Sequence, residues 1–308
     1  VKKSYGLNMT REIIPFYDPT RTYDDNYDHG PFGDFARTPD GVLPVDNKFA
    51  ELLGYKLDIP FGIPSGPLLN SGFVIAAWKW RFSLVTYKTV RGVEYPCHPF
   101  PNVIRLESTG DVRLGDEITG NLNITNIDVT HDGITNSFGV PSKHPEVWQK
   151  DVKKGLQQMT EGNLLILSFM GTKKEGMSYE QYVNDFARTA ELAKNTGAPI
   201  LEVNFSCPNV GKEGLICNDP DTSRDILTAI KPVRGNVPLL VKIGYFPPDQ
   251  QATFENLLNV INENADGVVA INTIQAKITD GMDGQILPGS PVRLYSGVCG
   301  AAIQWAGI

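Results

Sequence analysis

The stretch from Leu201 to Val210 reads LEVNFSCPNV, an apolar strand that leads directly into polar residues. Successive side chains of a strand point to opposite faces, so Asn204 and the residues beyond the strand end can converge on one ligand while Val203 packs in the core. Pro208 fixes φ and removes a backbone donor, which ends the strand and holds the next residues in a set geometry. The stretch therefore predicts a buried strand whose carboxyl end carries a functional loop.

Cys207, taken alone, is more typical of a small buried hydrophobic residue than of a catalytic group, and asparagines are common turn formers. Other segments of the chain change that interpretation. They are, in chain order, Pro64-Ser65-Gly66, Tyr87-Lys88-Thr89, Thr135 to Gly139, Val241-Lys242 and Ile271-Asn272-Thr273. Together with NFSCPN they resemble, in order and spacing, the active-site segments of the dihydroorotate dehydrogenase family, in particular its soluble class 1 members that use a cysteine base.

Short buried runs alternate with helical patterns along the chain, which predicts parallel βα units. The expected strands are 59–63, 83–88, 164–168, the stretch from 201, 238–242 and 267–272. The expected helices are 73–80, 145–159, one opened by a capping box at Ser178 and stopped by Gly197, 221–230, and one carrying Phe254 to Ile261. Polar residues at the carboxyl ends of the strands favour a (β/α)8 TIM barrel, which the resemblance also implies.

Two regions depart from the βα pattern. Residues 1–45 are polar and interrupted by prolines, so we expect an N-terminal extension with little regular structure. Residues 46–308 would form the FMN-binding barrel, and residues from about 96 to 141 read as a β-rich excursion on it.

The end of the sequence does not supply the last part of such a barrel. After Asn272 the pattern predicts a loop at Gly297 to Gly300 and the start of a helix from Ala301, but no strands seven and eight. Those strands would need roughly sixty more residues at typical repeat lengths. Two interpretations follow, a piece of a longer protein or a naturally incomplete, non-catalytic barrel that acts as a binding module.

Composition excludes several classes of function. The 308 residues are 41% hydrophobic, which is enough for a large core. The formal net charge is −7, so the chain lacks the basic footprint of nucleic-acid binding. No apolar run approaches the roughly 18 residues of a membrane span, and the first residues lack a signal-peptide core, so we expect a cytoplasmic protein. The four cysteines and four histidines have no metal-ligand spacing, and no metal is expected.

The resemblance implies oxidation of dihydroorotate to orotate in pyrimidine biosynthesis, with FMN accepting a hydride. It implies that Cys207 is the catalytic base and that Lys88 is a second catalytic residue, near the flavin and the substrate. The residues expected to hold the substrate are Asn136, Asn204, Asn209, Asn272 and Thr273. Those expected to bind FMN are Ser65, Gly66, Lys88, Thr89, Lys242, Gly297 and Gly300.

A dihydropyrimidine dehydrogenase-like flavin reductase is the nearest alternative, although such proteins normally carry iron–sulfur cysteine clusters that this sequence lacks. The resemblance leaves the electron acceptor open between fumarate and NAD, the latter reached through an FAD and iron–sulfur partner subunit. A homodimer is expected.

Overall fold

The computed structural model describes residues 15–37, 50–107, 110–123, 132–206, 215–282, 284–289 and 293–307. The α-helices are α1 Tyr23–His29, α2 Ser71–Lys79, α3 Pro145–Leu156, α4 Tyr179–Lys194, α5 Pro220–Arg234 and α6 Gln251–Asn264. The strands are β1 Ala50–Leu52, β2 Tyr55–Leu57, β3 Gly62–Ile63, β4 Leu84–Arg91, β5 Arg105–Leu106, β6 Glu117–Asn121, β7 Gly133–Asn136, β8 Leu164–Met170, β9 Ile200–Asn204, β10 Leu239–Lys242, β11 Gly267–Val269, β12 Ile274–Thr279 and β13 Tyr295–Gly300. The chain has a mixed α/β fold.

A curled, six-stranded parallel sheet forms the centre of the fold. Its strand order is β11-β10-β9-β8-β4-β3, and every neighbouring pair is parallel. All residues of β8, β9 and β10 are buried. Burial on both faces explains why these strands are continuous apolar runs in the sequence.

The two faces of the sheet pack in different clusters. On β8, Leu165 and Leu167 belong to the large core shared with the helices, whereas Leu164 and Ile166 belong to a smaller cluster with Leu240. The alternation follows from the two-residue period of a strand. The smaller cluster fills the inner face of the curled sheet, and polar residues lie beyond it toward the carboxyl ends of the strands.

Helices α3 and α4 begin where the sequence predicts. Pro145 occupies the first turn of α3, and Ser178 and Gln181 form a capping box that satisfies backbone donors at the start of α4. The buried residues of α4 include Val183, Phe186 and Ala190, spaced as one face of an amphipathic helix. These helices cover the outer face of the sheet and so leave its carboxyl edge for the site.

A second β-structure lies beside the sheet. Strands β12-β13-β7-β5-β6 close into a small barrel, in which β13 pairs antiparallel with both β7 and β12. Its interior is a separate apolar cluster that includes Ile104, Ile118, Ile278 and Val298. Closure satisfies the edges of these short strands.

Several sequence predictions are corrected by the structure. Gly297 to Gly300 belong to β13 and not to a loop, because they pair with β7, and β12 forms where no strand was expected. The helix expected from Ala301 is a short 3-10 helix, Ala301–Ala306, and the sixth parallel strand ends at Val269. The N-terminal extension contains α1, whose N-cap Thr22 accepts a hydrogen bond from the backbone of Asp25.

Candidate active site

The carboxyl edge of the parallel sheet gathers buried polar side chains. Asn204 ends β9 and lies directly opposite Lys242 at the end of β10. Their side chains are 4% and 3% exposed, and Lys88 on β4 is 7% exposed. Buried polar groups normally require hydrogen-bond partners, so the contacts among these side chains define the site.

Thr89, Ser168 and Asn204 form a hydrogen-bonded row across three adjacent strands. The hydroxyl oxygens of Thr89 and Ser168 lie 2.9 Å apart, and Asn204 Nδ2 donates to Thr89 Oγ1 at 3.4 Å. Ser168 was not singled out in the sequence, although its position at the end of a buried apolar run resembles that of Asn204. The row orients the Asn204 amide.

Two of the predicted asparagines hold the backbone at Ser206, the residue before Cys207. Asn204 Oδ1 accepts from the backbone N–H of Ser206 at 3.0 Å, and Asn272 Nδ2 donates to the Ser206 carbonyl at 2.8 Å. The Asn272 N–H also donates to the Ile243 carbonyl. These contacts fix the backbone up to the residue before Cys207.

Cys207 and Asn209 lie outside the described residues, as does the segment from Gly211 to Gly214 that follows them. Ser206 and Leu215 are the described residues on either side. The roles assigned to Cys207 and Asn209 therefore stay predictions.

A second polar group lies beneath this edge, formed by the buried Lys242 and Glu202 and the half-buried Ser65. Lys242 Nζ donates to Ser65 Oγ at 3.0 Å and to the Ser65 carbonyl at 3.2 Å, and Ser65 Oγ donates to Glu202 Oε1 at 2.9 Å. Glu202 was missed in the sequence. A single acidic residue two positions before Asn204 in an apolar strand faces the same side as Asn204, and that spacing was the available signal.

Gly66 follows Ser65 and leaves open space at the carboxyl edge of the parallel sheet. Its φ is +138°, which favours glycine, and a Cβ built there would meet no atom within 4 Å. A flat ring could therefore approach the backbone at this position.

The small barrel brings three further predicted residues together. Asn136 on β7 is paired with Gly297 on β13, and a side chain at Gly297 would collide with Thr273. Thr273 Oγ1 is buried and accepts or donates no hydrogen bond within the described part of the chain. The small barrel thus places three predicted residues next to one another, namely Asn136, Thr273 and Gly297.

Gly300 lies at the far end of β13 and precedes the short helix that begins at Ala301. Its φ is +96°, and a Cβ there would meet the Asp132 carbonyl at 3.1 Å. Cys299 beside it is close enough to Lys242 for the lysine charge to act on its thiol, but burial dominates and raises the pKa of Cys299 to about 11.

Lys88 is covered by α1. Its ammonium lies 5.6 Å from the centre of the Tyr23 ring, a cation–π distance, and Tyr23 is 5% exposed. Burial raises the pKa of the nearby Cys97 to about 12, against the opposing effect of the Lys88 charge. The N-terminal extension therefore contributes to the surroundings of Lys88, which the sequence did not indicate.

Arg91 holds the turn that follows Asn136. It is fully buried and donates from Nε to the Val140 carbonyl at 2.8 Å, from Nη2 to the Gly139 carbonyl at 3.3 Å and from Nη1 to the Gly171 carbonyl at 3.0 Å. Its guanidinium also stacks 4.1 Å from the Tyr95 ring centre. Arg91 follows Lys88 by three residues. An arginine at a strand end gave no sign of this role.

We expect Arg91→Lys to destabilise the fold by about 2–4 kcal/mol, because a lysine cannot replace the planar fork and leaves buried carbonyls unpaired. Urea unfolding followed by circular dichroism measures the change. Arg188→Lys on the exposed face of α4 is the control and should stay within about 0.5 kcal/mol of the parent protein. Equal stabilities of the two variants would contradict the role given to Arg91.

The described residues contain neither a metal-binding cluster nor a membrane-spanning helix. No group of three or more His, Cys, Asp or Glu side chains among them could hold a metal ion. None of the helices in the described ranges is both long and apolar enough to span a membrane.

Comparisons with known proteins agree with one another. The family model of dihydroorotate dehydrogenase matches residues 115–308. A dihydroorotate dehydrogenase of Dictyostelium discoideum is 37% identical over 304 residues, covering 96% of this chain and 80% of that protein. The catalytic subunit of dihydroorotate dehydrogenase B (NAD(+)) of Thermoplasma volcanium is 26% identical over 266 residues, covering 83% and 71%.

Solved structures show the same fold. The crystal structure of DHODH from Eimeria tenella in complex with ferulenol superimposes with a TM-score of 0.61 at 18% identity, covering 89% of this chain and 71% of that one. The matches place the chain among oxidoreductases with a mixed α/β fold. It belongs to the dihydroorotate dehydrogenase family.

Proposed function

We propose that this protein oxidises dihydroorotate to orotate with FMN as the hydride acceptor and Cys207 as the base. The observation that carries the proposal is the cluster of buried polar side chains at the carboxyl edge of the sheet, in a chain of this family. Lys88, Asn204 and Lys242 are all at least nine-tenths buried there. Sheets of this kind place their ligands outside the carboxyl ends of the strands.

The residues present fit a flavin. Gly66 leaves open space for a flat ring, and two buried polar atoms, Glu202 Oε2 and Thr273 Oγ1, have no partner within the described part of the chain. When bound, FMN would supply the acceptor for a hydride. Ser65, Gly66, Thr89 and Lys242 would hold it from the sheet, with Gly297 and Gly300 on the side of the small barrel. A fixed cation at Lys242 favours the negative charge that a reduced flavin carries.

Amide side chains suit the substrate. The edge of a dihydropyrimidine alternates N–H and C=O groups, and an asparagine offers both a donor and an acceptor. Asn204 and Asn272 converge on Ser206, and Asn136 approaches from the small barrel. Together with Asn209 and Thr273 they would bind the ring, and Lys88 would bind the carboxylate or lie beside it.

Cys207 is the proposed base because it occupies the cysteine position of the NFSCPN segment that resembles this family. The other cysteines are also poor candidates. Burial raises the pKa of Cys97 to about 12 and that of Cys217 and Cys299 to about 11, so these thiols stay protonated at neutral pH. A thiol removes a proton only as the thiolate. Cys207 follows directly on the backbone that Asn204 and Asn272 hold, and from there it would take a proton from the face of the substrate opposite the flavin.

An anaerobic visible spectrum of the full-length protein tests the proposal. We expect flavin absorbance that bleaches within seconds when dihydroorotate is added and does not bleach with dihydrouracil, which lacks the carboxylate. Bleaching with dihydrouracil alone would favour the dihydropyrimidine dehydrogenase-like alternative. Protein that takes up no FMN would contradict the proposal and favour a binding module.

A further inference from the structure

Glu202 is a buried carboxylate for which neither the sequence motifs nor the proposed reaction supplies a role. It is 1% exposed and lies on β9 opposite Leu240, two residues before the Asn204 that faces Lys242. Because side chains two apart on a strand share a face, Glu202 lies directly below the Asn204 and Lys242 pair. A buried carboxylate is costly unless charge or hydrogen bonds compensate it. Its compensation must come from the groups around it.

Ser65 connects Glu202 to Lys242. An ammonium group can only donate, and a carboxylate that carries charge can only accept. The Ser65 hydroxyl therefore accepts from Lys242 Nζ at 3.0 Å and directs its own proton to Glu202 Oε1 at 2.9 Å. Lys242 also donates to the Ser65 carbonyl at 3.2 Å. One serine thus orients the cation and the anion together, and the second oxygen of Glu202 makes no hydrogen bond to any of the described residues.

We propose that Glu202 is the counter-charge and a positioning residue for Lys242. Through Ser65 it fixes the ammonium, and its negative charge offsets part of the positive potential that Lys242 presents above the sheet. This inference rests on the proposed flavin site. There, Glu202 and Lys242 together set the ratio of the affinities for reduced and oxidised FMN. Lys242 favours the reduced form, and Glu202 limits that preference.

The test compares three variants of the full-length FMN protein by anaerobic redox titration against an indicator dye. Glu202→Gln keeps the size of the side chain and an acceptor for Ser65 but removes the charge. We expect its reduced-to-oxidised affinity ratio to rise about tenfold, which for a two-electron couple is a shift of about 30 mV to more positive potential. Lys242→Met should shift the potential in the opposite direction, and the double variant should return toward the parent value.

Glu191→Gln, on the exposed side of α4, is the matched control and should leave the potential unchanged. An unchanged potential in Glu202→Gln would overturn the proposal, because it would mean that Glu202 carries no charge or does not act at the flavin. The same result in Lys242→Met would overturn it as well.

A second measurement keeps the inference separate from the proposed function. In flavin-free protein, each single variant should melt at a lower temperature than the parent, and the double variant should recover part of the loss because neither charge is left alone. Additive losses would overturn the pairing even if no FMN binds. If the parent protein takes up no FMN, the proposed function fails, and the melting comparison still decides whether the two charges are paired.

Discussion

Replacing Cys207 by alanine should leave FMN bound and slow its reduction by dihydroorotate by about 10²- to 10⁴-fold, the usual contribution of a positioned general base. The flavin would be held by the sheet residues Ser65, Gly66 and Lys242, which the substitution does not touch. Stopped-flow absorbance under anaerobic conditions measures the rate at saturating substrate. In the parent protein the rate should also rise with pH through the range in which a free thiol ionises, about 8.5, and Cys207→Ala should lose that dependence.

Cys217→Ala is the matched control for this prediction. The Cys217 thiol is buried, burial raises its pKa to about 11, and its sulfur accepts from the Gly244 N–H at 3.5 Å. The control should therefore reduce its flavin at the parent rate. An unchanged rate in Cys207→Ala, with FMN bound, would remove Cys207 as the base.

The parallel sheet was predictable because its signals are local. β8, β9 and β10 are apolar runs buried on both faces, and the capping box at Ser178 marks the start of α4 within four residues of sequence. The polar residues at the ends of β9 and β10 follow from the same pattern, since parallel strands present their carboxyl ends at one edge. Register then places Asn204 opposite Lys242.

The small barrel was not predictable in the same way. Three of the six residues of β13 are Ser296, Gly297 and Gly300, a composition typical of a loop. The segment is a strand because β7 and β12 pair with it. Gly297 is needed there for the contact with Thr273, not for a loop. Strands that depend on pairing partners more than on their own composition carry little local signal.

Three parts of the site also depend on contacts that the sequence does not show. Arg91 acts by reaching carbonyls on two other segments, Glu202 acts through Ser65, and α1 places Tyr23 over Lys88. In each case the residue type is ordinary and its neighbours decide its role. The motif residues were found because their segments resemble those of a known family, and several of them also stand at the ends of predicted strands.

The second large effect is expected for Lys242→Met. The substitution keeps an unbranched side chain but removes the ammonium that donates to Ser65, and it leaves Glu202 as a buried charge without its counter-charge. Breaking a buried pair in this way costs roughly 3–5 kcal/mol. We expect a loss of this size in the unfolding free energy of the flavin-free protein, measured by urea denaturation.

The same substitution should weaken FMN binding and slow flavin reduction by about 10²- to 10³-fold, the usual cost of removing one fixed electrostatic contact to developing charge. Fluorescence titration gives the affinity for FMN, and stopped-flow absorbance at saturating FMN gives the rate. Lys231→Met is the control, because Lys231 lies on α5 with an exposed contact to the Glu263 carbonyl. A Lys242→Met protein that matches this control in FMN affinity and in rate would contradict the role of Lys242 at the flavin. A loss of stability alone, with both flavin properties unchanged, would make Lys242 a partner of Glu202 and nothing more.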